Sequence, residues 1–326
     1  MAGGALGAAR GLMTAERVLI ATGFVVAEGM PETDGPPGAA VLGRALRRLG
    51  ARVRYTSDPT VLPTLKAALR ALDEPPDTFA YPDGPSAASD VLERERPTHL
   101  IAIERPGRGR GGDYLNARGA SVARWNRPLD EMFLLAGRAG RTAARSAGRT
   151  GVRGAGRTGV RSSGRTGIRS HALLDQATYV QSRSRGPRTA DNTRRASGFH
   201  ATTVGVGDGG NEIGMGRVRA RLAREGALVA RIASVVPVDH LVVAGVSNWG
   251  AYGIVAQLGR LTGHRLLHTP ADERRLIDAC VAAGAIDGLT HRREPTVDAL
   301  DADTHAAVVA LLGLSWGDLS KRGERA

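Results

Sequence analysis

Residues 202–216 read TTVGVGDGGNEIGMG, six glycines gathered around Asp208, Asn211 and Glu212. The β-branched lead-in, Thr202 to Val206, has the apolar run of a buried strand. The glycines follow at once, and Arg217 to Glu225 then has the spacing of a helix. A strand, a glycine-rich turn and a helix form one half of a βαβ unit. Acids and an amide in such a turn lie at the carboxyl end of a strand, where open α/β sheets bind ligands. Backbone without Cβ atoms lets main-chain N–H groups approach an anion. Gly205-x-Gly207-x-x-Gly210 also fits the dinucleotide fingerprint, which expects an acid about 20 residues on. Asp239 lies further away, and Asp208 and Glu212 would repel a pyrophosphate, so no nucleotide cofactor is expected. A purely structural glycine turn is the competing reading.

Working outward, the same rhythm recurs. Arg17 to Thr22 reads as a strand, followed by a Gly/Pro loop (Gly23 to Gly38) holding Glu28, Glu32 and Asp34. Ala39 to Leu49 has apolar residues at helical spacing and stops at Gly50. Ala51 to Thr56 (strand), Val61 to Leu72 (helix), Ala87 to Arg96 (helix) and Thr98 to Ile103 (strand) continue it. That last strand runs straight into Glu104-Arg105-Pro106-Gly107-Arg108. Asp239 to Val246 reads as a strand, followed by Ser247-Asn248-Trp249 and a helix through Leu261, and Glu273 to Ala283 as another helix. The fold expected is α/β: an open, mostly parallel, doubly wound (Rossmann-like) sheet with helices on both faces, three layers in all. One such domain spans 16–136 and 200–316, after a Gly/Ala-rich extension (1–15) expected to be disordered and before a tail (317–326).

Between the halves, 137–199 carries the octamers AARSAGRT, GVRGAGRT and GVRSSGRT. A unit with one valine or none cannot bury a core, so this reads as a disordered Arg/Gly insert. Residues 137–200 hold 14 arginines against Asp175 and Asp191, a net +12 of the chain's +13. The rest is therefore near neutral. Specific nucleic-acid binding is not indicated, although the arginines allow a non-specific, salt-sensitive attraction. Only Lys66 and Lys321 are lysine among 45 basic residues. No apolar run approaches the ~18 residues of a membrane span. The single Cys280 excludes an internal disulfide and suits a reducing, cytoplasmic setting. The eight histidines form no spaced ligand set, so no metal ligand is assigned. The clustered acids nevertheless permit a divalent cation held by oxygen.

Five ordered stretches resemble the D-glutamate cyclase C-terminal domain family: PETDGPPGA (31–39), IERPGRGRGGDYLNARG (103–119), GVGDGGNEIGMG (205–216), SNWGAY (247–252) and AIDG (285–288). The resemblance implies conversion of D-glutamate to 5-oxo-D-proline and water. Where the family pattern has Asp-Gly after ERPGR, this chain has Gly111-Gly112 before Asp113. The arginine repeat stands in place of a short connecting helix, and the family's larger members carry a further N-terminal domain. Such a cyclisation needs a base, an acid and groups that hold two carboxylates and an oxyanion. Asp34, Glu104, Asp208 and Glu212 are the expected acids and bases. Arg105 and Arg108 are expected to clamp carboxylates as forks. The N–H groups of 207–210, among them Gly207, Gly209 and Gly210, are expected to make the oxyanion site. Asn211 and Asn248 would orient the substrate by hydrogen bonds, with Glu32, Thr33, Asn116 and Trp249 from the same motifs around it. A small-ligand binding module without catalysis is the alternative, and the sequence does not set an oligomeric state.

Overall fold

A computed structural model describes residues 3–137 and 199–323, with side chains through 315. The arginine-rich insert expected at 137–199 lies almost wholly outside the described residues, as does the end of the tail.

The elements run α1 (Gly4–Leu12), β1 (Arg17–Thr22), β2 (Val25–Ala27), β3 (Met30–Pro31), α2 (Pro36–Arg48), β4 (Arg52–Ser57), α3 (Leu62–Ala71), β5 (Thr78–Ala80), α4 (Ala87–Glu95), β6 (His99–Ile103) and β7 (Thr202–Gly207). Then come α5 (Arg219–Leu222), α6 (Ala227–Ile232), β8 (His240–Val243), α7 (Ser247–Thr262), α8 (Pro270–Ala282), β9 (Thr296–Val297), β10 (Leu300–Asp301) and α9 (Ala302–Gly323). A further helical stretch covers 130–137.

Six strands form one sheet in the order β5-β4-β1-β6-β7-β8, every pair parallel. The chain winds outward through β4 and β5, returns to β6 and winds out the other way. The strand order therefore reverses between β1 and β6, which is where doubly wound sheets open a crevice. The register aligns Thr22 with Ile103 and Ile103 with Val206, so the loops after β1, β6 and β7 leave the sheet side by side.

Alternation along the strands divides the core. Val18, Ile20, Ile101, Ile103, Val204 and Val206 face α2, α3, α7 and α8. Leu19, Ala21, Leu100 and Ala102 face α4, the stretch at 129–136 and the 213–238 segment. Both sheet faces are covered, hence the near-continuous apolar strands. Each fully buried Leu, Ile or Val contributes about 1.5–3 kcal/mol.

Two sequence expectations fail. The Gly/Ala-rich start is ordered: α1 packs on α7 and β8, burying Ala8, Ala9 and Leu12. Gly4, Gly7 and Gly11 lie along one face of α1, and a Cβ at Gly11 would sit 2.6 Å from Nε2 of His240. These glycines admit the edge strand rather than loosen the helix. The helix expected over Arg217 to Glu225 shrinks to Arg219–Leu222, because residues 211–216 first turn back along the strand ends, bridging Glu212 to Pro106 and Gly214 to Pro237. The glycine turn thus has no helix N-terminus waiting behind it.

Candidate active site

The site is built on two helix starts that hold each other. α7 begins after Val246, which has no side-chain acceptor to cap the first turn. Asp34, from the β1–α2 loop, does so from a distance. Its Oδ1 accepts the N–H of Asn248 (2.8 Å) and of Gly35 (2.9 Å), and its Oδ2 accepts the N–H of Ser247 (2.8 Å). Asn248 returns the bond: its Oδ1 accepts the N–H of Gly35 (3.0 Å) and of Gly38 (2.7 Å) at the start of α2. Pro36 and Pro37 have no N–H, so these two donors are the ones α2 must satisfy. Gly35 has φ +97°, and a Cβ there would lie 2.9 Å from Cβ of Glu104.

Glu104 follows β6 with φ +41°, uncommon for a residue with a side chain. Its N–H donates to the Val206 carbonyl (3.1 Å), and its Oε2 accepts the Ser247 hydroxyl (2.6 Å). After β7, the buried Glu212 accepts the N–H groups of Gly209 (2.7 Å) and Gly210 (2.8 Å). A cavity of about 120 Å³ opens over these groups, walled by the carboxyls of Glu32, Glu104, Asp208, Glu212 and Asp298, with Phe24 and Val26 as apolar lining. The exposed Arg118 and His291 stand on its rim. Beside it, Asp34, Glu104 and Asp208 each bring one carboxylate oxygen within 4.8 Å of the others.

Like charges in a dry space favour protons over ionisation. Burial pushes Asp208 up to about 10, with Asp34 and Glu212 adding to the shift. Asp298 rises to about 8 through burial and the charge of Asp34. Glu104 and Glu32 are also raised well above the usual carboxylate range, first by burial and then by neighbouring acids. Burial raises Asp34 and Glu212 too, but their backbone N–H donors oppose it. The cluster thus combines acids that burial and like charge push toward protonation with acids whose anions are supported by hydrogen bonds.

The structure brings Glu32, Glu104, Asp208, Glu212, Asn116, Asn211 and Gly209 to this cavity and sets Asp34 against it. Other expected contacts lie elsewhere. Arg105 turns into the core, fully buried, paired with Asp58 and donating to the carbonyls of Gly23 (3.0 Å) and Arg127 (2.7 Å). Arg108 forms a two-point fork on Asp130 at 2.7 and 2.9 Å. Neither arginine is free to clamp a substrate carboxylate. Thr33 donates to the Thr296 carbonyl (2.8 Å), and the Trp249 indole N–H donates to Nδ1 of His305 (2.8 Å). Asn248 is consumed by helix capping. The oxyanion site expected from 207–210 is not free either, since the N–H groups of Gly209 and Gly210 already serve Glu212. Gly207 closes β7 and Gly210 backs the turn, and neither lines the cavity.

The sequence reading passed over Arg118, His291 and Asp298 as site residues. Asp298 carries a faint signal: an Asp tolerates the left-handed backbone (φ +51°) that turns β9 back into β10.

With this geometry in hand, comparison with known proteins settles the lineage. The family model described as "D-glutamate cyclase-like, C-terminal" matches residues 2–160 and 187–313. The chain belongs to the D-glutamate cyclase-like C-terminal family. A curated relative, the human protein named "D-glutamate cyclase, mitochondrial", is 28% identical over 276 residues, covering 78% of this chain. The chain spans about a third of that relative's length (34%). Among the described residues, no helix of this family member is long and apolar enough to cross a membrane.

Proposed function

We propose that this chain cyclises D-glutamate to 5-oxo-D-proline with release of water, in a cytoplasmic setting. The observation that carries the reading is one small cavity in which Asp208, pushed up to about 10 by burial, stands near a second carboxyl, Glu104, as acid/base pairs on one reaction require.

The α-ammonium suits the acidic floor of the cavity. Arg118 is the guanidinium placed on the rim to meet a substrate carboxylate. Glu104 enters ionised, the Ser247 hydroxyl donating to its Oε2, while Asp208 keeps its proton; Glu104 takes a proton from the ammonium, and the freed amine attacks the γ-carboxyl carbon. Asp208 gives its proton to the departing γ-oxygen. Two protons leave the nitrogen in all, and they depart with one carboxyl oxygen as water. Glu104 passes its proton to Asp208, takes the second nitrogen proton and relays it through Asp208 to the same oxygen, so water leaves and the pair ends as it began. Asp34 and Glu212, anchored by backbone N–H groups, keep the negative surroundings that hold the proton on Asp208 at neutral pH.

A chiral assay of 5-oxoproline formed from D- and L-glutamate tests the proposal. Product from the D-enantiomer by the wild type, lost in Asp208→Asn and Glu104→Gln, is the expected result. Ligand affinity by calorimetry with no product from either enantiomer overturns it in favour of a binding module.

A further inference from the structure

Among the described residues the acids at the cavity have no cation paired with them. Among the described residues no ion pair reaches Glu32, Asp34, Glu104, Asp208, Glu212 or Asp298. An assembly of buried acids is neutralised either by protons or by a bound cation. Two independent observations bear on which. One oxygen each of Asp34, Glu104 and Asp208 lies within 4.8 Å of the other two. Separately, Glu32 is 7% exposed and lines the same cavity, and its Oε1 finds no hydrogen-bond donor among the described residues. A side chain at Gly288 would collide with Oε2 of Glu32, so the carboxylate is packed in place with one oxygen unused.

We propose that this cluster binds one divalent cation of the Mg²⁺ or Mn²⁺ class through Asp34, Glu104 and Asp208, with Oε1 of Glu32 turned to the same ion or to a water on it. The donors are all oxygen, with no sulfur or imidazole in the set, and hard cations take such ligands. In an octahedron with metal–oxygen distances of about 2.1 Å, opposite oxygens stand about 4.2 Å apart. Neighbouring oxygens of that octahedron stand about 3.0 Å apart, so three oxygens within 4.8 Å of one another need close by no more than about 2 Å to take such positions. Oδ2 of Asp34 accepts a single N–H, so it keeps a lone pair for a metal while still capping α7. Ligation requires each of the carboxylates to be ionised.

An ion-ligated Asp208 carries no proton, so the metal-bound chain and the proton-donating Asp208 of the preceding section are two separate states, and the ion is expected to suppress that reaction rather than assist it. The site itself does not depend on the cyclase reading, and its test uses no substrate.

The experiment titrates Mn²⁺ into the chelator-stripped full chain by calorimetry at pH 7.5. One site per chain is expected. Asp208→Asn and Glu104→Gln should each weaken affinity at least tenfold. Circular dichroism should show both folded, and Asp303→Asn, at an exposed ion pair with Arg274, should bind as the wild type does. No heat with Mn²⁺ or Mg²⁺ at millimolar concentration overturns the proposal, as does binding that both cluster variants leave unchanged. Metal binding without 5-oxoproline formation by the chelator-stripped chain keeps this site and removes the cyclase reading. Chelator-insensitive turnover with no metal binding does the reverse.

Discussion

Glu104 and Arg105 are neighbours in the chain, yet they enter opposite electrostatic worlds. Arg105 is wholly buried against Asp58 with two further carbonyl partners, while Glu104 sits among acids with one hydroxyl for company. Arg108 repeats the first pattern with Asp130, and Asp208 repeats the second. The cations of the ERPGR segment are thus committed to holding the loops together, and the carboxyls at the strand ends are left facing the cavity unpaired. Charges that neutralise one another support the fold; charges left unneutralised form the site and cost stability.

That contrast can be attacked at several points. Asp208→Asn should lower 5-oxoproline formation by about 10²- to 10⁴-fold, the usual share of a positioned proton donor, as read by steady-state rates; a near wild-type rate breaks the division. Arg105→Ala should lower unfolding free energy by about 3–5 kcal/mol in urea titrations, because it strands Asp58 as a buried unpaired charge.

The pH dependence distinguishes the two sets of charges. Asp208 and Asp298 titrate near the ordinary carboxylate range once unfolded, but at about 10 and about 8 when folded. Between those limits the folded state binds more protons, so stability falls as pH rises from about 4 toward 8 and above. In chelator the melting temperature should therefore drop between pH 5 and pH 9. Asp208→Asn should flatten that slope and melt higher than the wild type at pH 8; a rise of wild-type melting temperature over that range would contradict the cavity's assignment. The smallest effect belongs outside both sets. Trp249→Phe removes the hydrogen bond to His305 and should cost about 0.5–1.5 kcal/mol, with the rate of product formation unchanged.

Much of the fold was legible in the chain because strands buried on both faces announce themselves: RVLIAT, HLIAI and TTVGVG each became a central strand. The end of a strand was legible for the same reason, and so were the acids that follow β6 and β7. What the sequence does not encode locally is the side to which a side chain turns after the strand stops. The left-handed backbone at Glu104 directs it into the cavity and sends Arg105 inward, an outcome decided by Asp58, 47 residues earlier. Asn248 and Trp249 stand in the right motif but face helix ends and His305. Asp298 was passed over because it arrives on a two-residue hairpin outside the main sheet.

The reciprocal bonds of Asn248 with Gly35 and Asp34 join positions 213 and 214 residues apart. Contacts of such long range form late, since closing the intervening chain costs entropy before any reward arrives. A nascent polypeptide still on the ribosome therefore has no acidic chamber until the segment around residue 250 has emerged. Fragments that end short of that point should be inert whatever else they fold into.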